Sequence, residues 1–267
     1  MINNFEKITS KQNTKIKWIR SLLSHRQERK NSNCYVLEGV RLIEEAHKAN
    51  IIPELVLFSS NISTRGNQVL ESFKSNTNEI YEVNYDLLRF ISKTENPQGI
   101  IAVFNKTVLS IPEQADFLLI ADGIRDPGNM GTLIRTSLAA NVNALILTPG
   151  SVDIFSPKVL RSGMGGHLHL PIHTLEWEQI INIFKKDRSI NMSYFLAASE
   201  NGKPYWQPDY KVPSAVIIGS EADGASKYAH MIASEHISIP ISKNSESLNA
   251  AIAAGIILFE IVRQRSS

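Results

Sequence analysis

Five runs of five or six mostly apolar residues recur through the second half of the chain: FLLIAD, ALILT, HLHLPI, YFLAAS and SAVIIG. Each is too short to make a buried helix, and stretches with helical spacing separate them, so the segment reads as strands alternating with helices. This alternation constrains the fold more than any other feature. Parallel neighbours need a long crossover, and the crossover helices cover the sheet, so a mostly parallel sheet buried on both faces is expected. The segment closes in SLNAAIAAGIILFEIVRQR, an alanine-rich helix expected from 247 to 264, with arginines in its last turn where they complement the helix dipole.

The first hundred residues carry a smaller α/β pattern. CYVLEG, ELVLFS and IIAVF read as short buried strands, with helices expected near 39–49, 64–76 and 84–91. The pattern is lost in NKTVLSIPEQAD, which holds a proline and reads as a linker. The expected division is therefore a front unit at 1–105, a linker at 106–115 and a larger α/β unit at 116–267. With 267 residues, 43% of them hydrophobic, such units can bury real cores. No run approaches the roughly 18 apolar residues of a membrane helix, and MINNFEKITSKQ has no apolar core. A cytoplasmic protein with no membrane partner is expected. The single cysteine, Cys34, excludes an internal disulfide, and its place in NCYVLEG predicts a packed, inert thiol.

Net charge is only +2, but it is unevenly spread. Up to residue 30, eight basic side chains stand against Glu6 and Glu28. Ile16, Ile19, Leu22 and Leu23 share one stripe of a helix expected over 13–30, which turns the basic residues toward solvent. Such a face is either a phosphate-binding surface or a solvated helix face.

Three segments of the second half hold more glycine and polar residues than a plain α/β core needs. In ADGIRDPGNMGTLIRTSLAA, Pro127 and Gly128 turn the chain, and Asn129, Gly131 and Thr132 open a helix. Arg135 follows Asn129 by nearly two helical turns, so both look to one side. Asn129 as a plain N-cap and Arg135 as a surface residue is the simpler alternative. In VIIGSEADGAS, Gly219 and Gly224 flank a turn around Glu221, where a ligand can approach the backbone. In ISIPISKNSESLNAAIA, Ser245, Ser247 and Asn249 gather at the start of the last helix, as ordinary capping residues also would.

In this order, DPGNMG with Arg135, GSEADG, and IPI followed by SLN resemble the three signature motifs of the SpoU (TrmH-like) RNA ribose 2'-O-methyltransferases of the SPOUT superfamily. SPKVLRSGMGGHLHLPI is similar to that family's connection between the first two motifs, so the likeness covers 116–267. ITSKQNTKIKWIRSLLSHRQERKNSNCYVLEGVRLIEEA resembles, more loosely, the family's ribosomal-protein-like substrate-binding domain. The resemblance implies an α/β SPOUT domain with a deep trefoil knot, a homodimer, and S-adenosylmethionine bound at the knot. It places cofactor contacts at the loops of Thr148, Gly219, Glu221, Ile239 and Leu248. Catalytic or supporting roles fall to Asn129, Arg135, Glu221, Ser247 and Asn249. Lys11, Lys15, Lys17, Arg26, Arg29 and Lys30 become the candidate RNA contacts, and the similarity of the front unit to those of rRNA modifiers implies large-subunit rRNA as substrate. A tRNA methyltransferase, a silent RNA-binding assembly factor and an antibiotic-resistance enzyme are the alternatives.

The chain departs from the family pattern at Ala222, where glycine is usual, at Ser220, where asparagine is common, and at Ala250-Ala251, where a small polar residue is frequent. All these residues are small, so the pocket should survive. A ribose hydroxyl is a poor nucleophile while protonated, so the protein must align it and handle one proton. The family assigns this to Arg135, but an arginine keeps its proton, which makes holding phosphate or a developing alkoxide the safer role and leaves Glu221 as an alternative acceptor. No metal is needed. His167 and His169 would alternate on a strand without completing a ligand set. Trp18 and Tyr35 either stack on bases or pack in the fold. Gly163-Met164-Gly165-Gly166 matches neither a dinucleotide fingerprint nor a phosphate loop, which argues against a dehydrogenase or an NTPase.

Overall fold

The structure is a computed structural model that describes residues 5–77, 79–185, 191–198 and 202–266. The chain divides into two compact units: residues up to Thr107 together with Phe155–Leu168, and Val108–Ile154 together with the residues from His169 onward.

The first unit runs β1 (Glu6–Ile8), α1 (Thr14–Ser24), α2 (Arg26–Asn31), β2 (Cys34–Glu38), α3 (Val40–Lys48), β3 (Pro53–Ser59), α4 (Thr64–Phe73), β4 (Ile80–Val83), α5 (Tyr85–Ile91) and β5 (Ile100–Asn105). Its sheet has the order β1-β4-β3-β5-β2, with β5 antiparallel to both neighbours and the other pairs parallel. One face is covered by α1 and α5, whose Ile16, Ile19, Leu22, Leu87 and Leu88 pack on Val36, Leu57 and Val103. On the other lie α3, α4 and the 155–168 segment, which contributes Leu160 and Leu168 to the core.

The second unit contains β6 (Phe117–Asp122), α6 (Pro127–Ala139), β7 (Ala144–Leu147), β8 (Ile172–Thr174), α8 (Trp177–Lys185), β9 (Ser193–Ala197), β10 (Lys203–Pro204), β11 (Ser214–Gly219), α9 (Lys227–Ile232), β12 (Glu235–Ser238) and α10 (Ala250–Arg265), while α7 (Pro157–Ser162) belongs to the first. Its seven strands are all parallel, in the order β10-β12-β9-β11-β6-β7-β8. Every residue of β6 is buried, as a central parallel strand requires. Against β11 and α6 packs α10, whose Ala254 and Ile257 are fully buried. The parallel α/β core is as expected.

Four local expectations are corrected. The helix expected over 13–30 is two helices, broken at His25, which is extended (φ −120°, ψ 120°). The break lets α2 fold back so that the Arg29 guanidinium donates to the carbonyl of Leu22, one of the orphan carbonyls at the end of α1. Arg29 is therefore buried rather than turned to solvent as a candidate RNA contact. His167 and His169 do not lie on a strand: Met164 and Gly165 have positive φ, the chain coils into a short 3-10 turn at Gly166–Leu168, and extension resumes only at Ile172. Residues 155–168, counted with the second unit from the sequence, belong to the first by packing. The last helix begins at Ala250, because Asn249 is its cap.

Tyr35 packs against Phe104 and Phe155 and is 2% exposed, so it has no face for a base. Cys34 lies buried on β2, its thiol donating to Ser32 O at 3.3 Å and Asn105 Oδ1 at 3.2 Å. Burial, with Glu54 nearby, pushes its pKa above the ordinary thiol value. Native Cys34 is expected to resist a disulfide-exchange reagent at pH 8 and to react at once in guanidinium chloride; fast labelling of the folded protein would contradict this packing.

Candidate active site

The site gathers the ends of β6 and β11 and the start of α10. Asp126 caps α6, its carboxylate accepting from Asn129 N at 2.8 Å, and Pro127 takes the first helical position, where no N–H is needed. Asn129 is thus not the cap but a first-turn residue. Asn249 does cap its helix, with Oδ1 accepting from Ala251 N (3.0 Å) and Ile252 N (3.2 Å). Its amide is left to point across the site.

That amide and two other donors converge on one atom. Glu221 Oε1 accepts from Asn129 Nδ2 at 2.8 Å, Asn249 Nδ2 at 2.7 Å and Ala250 N at 3.3 Å. Asn249 Nδ2 also donates to Asn129 Oδ1 at 2.9 Å, which closes the triangle. Residues 129, 221 and 249, from three separate motifs, therefore form one polar cluster around a carboxylate. A second tie, the ion pair Arg125–Asp223 at 3.0 Å, joins the same two turns at the surface.

Beside the cluster is a cleft of about 210 Å³. Ile218, Ile237, Ile239, Ile241, Leu248 and Ile257 make its apolar walls, and small residues from β9, β11 and α10 leave it open. Glu221 is the one charged residue lining it among the described residues. Gly219, Glu221, Ile239, Ser247 and Leu248 all line this cleft. Thr148 does not: it is buried, donating its hydroxyl to Asp122 Oδ1 (2.9 Å) and accepting from Gly123 N (2.9 Å). Arg135 is exposed on α6 and makes no hydrogen bond or ion pair with other described residues, so it is not held by Glu221.

Asp122 was missed from the sequence. It is 5% exposed, holds Thr148 through one oxygen, and through the other accepts from Ser226 N at 2.6 Å. The signal was present: a carboxylate closing the otherwise apolar FLLIAD. Thr148→Val would keep the shape but leave the Gly123 N–H without its acceptor and Asp122 Oδ1 without its donor. The expected cost is about 1–3 kcal/mol, read as a melting temperature several degrees lower. An unchanged melting curve would show that this network does not stabilise the loops it joins.

The second unit is thus a parallel α/β fold with an open cleft at its strand ends and one carboxylate held on the rim by two amides. Residues 116–259 match the SpoU rRNA methylase family, and residues 13–102 match the MRM3-like substrate binding domain. The chain belongs to the SpoU rRNA methylase family. It is 31% identical to the Bacillus subtilis 23S rRNA (guanosine(2553)-2'-O)-methyltransferase RlmP, over 96% of this chain and 99% of that protein. It is 29% identical to human mitochondrial rRNA methyltransferase 3, over 92% of this chain and 71% of that protein. Among solved structures, the SpoU methyltransferase AviRb from Streptomyces viridochromogenes in complex with AdoMet superimposes with a TM-score of 0.86 at 26% identity, covering 95% of this chain and 99% of that one.

Proposed function

We propose that this chain transfers the methyl group of S-adenosylmethionine to a ribose 2'-hydroxyl of large-subunit ribosomal RNA. The observation that carries the reading is the cleft itself: apolar walls, one carboxylate at the rim and no lysine or arginine in its lining among the described residues. Such a lining suits a ligand with a flat apolar base and a positive sulfonium. It does not suit a pyrophosphate, which needs cationic or N–H donors around it. The Bacillus subtilis and human relatives are named as rRNA methyltransferases, which supports the acceptor, and the AviRb structure holds AdoMet, which supports the donor.

When bound, S-adenosylmethionine supplies a methyl already activated by the sulfonium. The protein's task is alignment and the hydroxyl proton. Asn129 and Asn249 fix Glu221 through Oε1, leaving Oε2, which has no donor among the described residues, as the atom to take that proton. Arg135, protonated and exposed, serves to hold the RNA phosphate or the developing alkoxide. Ser247 and Leu248 shape the cofactor end, and Thr148 acts through Asp122 on the turn after β6.

A homodimer belongs to the same proposal. Leu138 on α6 and Ile252 and Phe259 on α10 are 40%, 55% and 49% exposed, and these two helices pack together, so they offer a second copy an apolar face. The deep trefoil knot is part of the reading as well, supported by the likeness to the SpoU methyltransferases. So is a cytoplasmic location; among the described residues no helix is long and apolar enough to cross a membrane.

The test is transfer from labelled S-adenosylmethionine to unmodified large-subunit rRNA, with the product mapped by resistance of the 2'-O-methylated linkage to alkali. One labelled ribose in that RNA is the expected result. Label on a base, or on tRNA alone, would overturn the substrate assignment.

A further inference from the structure

Of the basic residues at 11–30, Lys11, Lys15, Arg20 and Arg29 are engaged within the first unit, whereas Lys17, Arg26 and Lys30 are exposed and make no hydrogen bond or ion pair with other described residues. Lys15 pairs with Glu79, Arg29 is buried on Leu22, and Lys11 and Arg20 lie over the Phe90 ring at 4.5 and 4.0 Å. A different part of that unit presents unengaged donors. A cleft opens where the turns after β2, after β3 and before β5 meet, lined among others by Arg41, Asn61, Ser63, Arg65 and Gln98. Gly39 (φ +96°) and Gly99 (φ +84°) let these turns close up, with Gly39 N donating to Ile100 O at 3.1 Å.

The hydrogen-bonding roles in this cleft are one-sided. Gln98 Oε1 accepts from Val40 N at 2.9 Å, Ser63 Oγ accepts from Gly66 N at 3.1 Å, and Asn61 Oδ1 accepts from the Ser59 hydroxyl. The side-chain acceptors are thus engaged inside the fold, and the amide NH2 groups of Gln98 and Asn61 remain as donors. Arg65 gives two of its N–H groups to Glu44, the acidic neighbour on α3, and keeps others; Arg41 is exposed and makes no hydrogen bond or ion pair with other described residues. A cleft that offers donors and two guanidiniums while its acceptors are engaged selects an anion with several oxygens.

We infer that this cleft grips the RNA phosphate backbone, with Arg41 and Arg65 on the phosphate oxygens and the Gln98 amide beside them. The inference rests on the RNA substrate proposed above and places the front unit's main footprint at the turns at 39–41, 61–65 and 97–99, with the exposed Lys17, Arg26 and Lys30 of the helices contributing less. These turns lie far apart in sequence.

The experiment measures binding of the full-length protein to an unmodified large-subunit rRNA transcript across a salt series, for wild type, Arg41→Ala, Arg41→Ala with Arg65→Ala, Gln98→Glu, and Arg26→Ala with Lys30→Ala as a comparison on α2. S-adenosylmethionine binding and the melting temperature report folding for each variant. The expected result is roughly tenfold weaker binding for Arg41→Ala, with the slope of log affinity against log salt shallower by about 0.9 for each phosphate that is no longer neutralised. Gln98→Glu should weaken binding at least as much, and the α2 pair less. Cleft variants that bind as wild type does, or a wild type with no salt-dependent RNA binding, would overturn the inference. Methyl transfer by the wild type separates the two claims: transfer to rRNA with indifferent cleft variants sinks the cleft alone, whereas weakened cleft variants of a protein that never methylates rRNA sink the proposed reaction alone.

Discussion

Glu221→Ala is expected to reduce methyl transfer by about 10²–10⁴-fold, the range for loss of a positioned proton acceptor. The substitution also leaves the Asn129 amide, the Asn249 amide and Ala250 N without the oxygen on which they converge. Each donor that finds no replacement costs about 1–3 kcal/mol if it stays buried, and less here because the cluster reaches solvent. Activity should therefore fall much further than stability. Asn249 separates the two effects. Asn249→Ser retains an oxygen able to cap α10 but is too short to reach Glu221, so melting should stay near wild type while transfer collapses. Asn249→Ala should lose both, with about 1 kcal/mol attributable to the cap. Single-turnover transfer and thermal melting of the three variants decide the matter. If Glu221→Ala retains wild-type turnover, the carboxylate is a loop anchor and nothing more.

Arg135→Ala should be comparably severe and structurally silent. The side chain is exposed and joins no hydrogen bond or ion pair with other described residues, so stability should change by no more than about 0.5 kcal/mol. Transfer should fall by about 10²–10³-fold, the usual effect of removing one preorganised donor from a developing oxyanion. S-adenosylmethionine affinity should not change, because Arg135 is not part of the cleft lining. Arg135→Lys should recover little, since an ammonium cannot reproduce a forked guanidinium. Full turnover with either variant would remove Arg135 from the chemistry and leave the Glu221 cluster to act without it.

Much of the second unit was legible because its signals are local. FLLIAD and SAVIIG are apolar throughout, as strands buried on both faces must be, and they form β6 and β11 at the middle of the sheet. Pro127 and Asn249 mark the starts of α6 and α10 through what they do to the first turn of a helix. What escaped depends on partners outside the periodic pattern of a single element. Neither the burial of Arg29 nor the break at His25 can be seen without the Leu22 carbonyl that Arg29 satisfies. The apolar residues of 155–168 read equally well as part of either unit, since periodicity says that a segment is buried and not against what. The likeness named the loop of Thr148 but not the partners of its hydroxyl, Asp122 and Gly123, which lie 26 and 25 positions upstream. The donor-rich cleft of the first unit draws on positions 41, 61–65 and 98, which no sequence window holds together.

The assignment of Phe155–Leu168 to the first unit has a consequence for how the protein is made. Synthesis delivers residues 1–107 well before Leu160 and Leu168, the side chains that complete the core beside Tyr35 and Leu42. The nascent front part thus waits on the ribosome with an apolar face uncovered until β6, α6 and β7 have been translated. A fragment cut at the apparent linker would carry the same uncovered face permanently. The two units have their own cores but not their own schedules: the first can finish folding only after the second has begun.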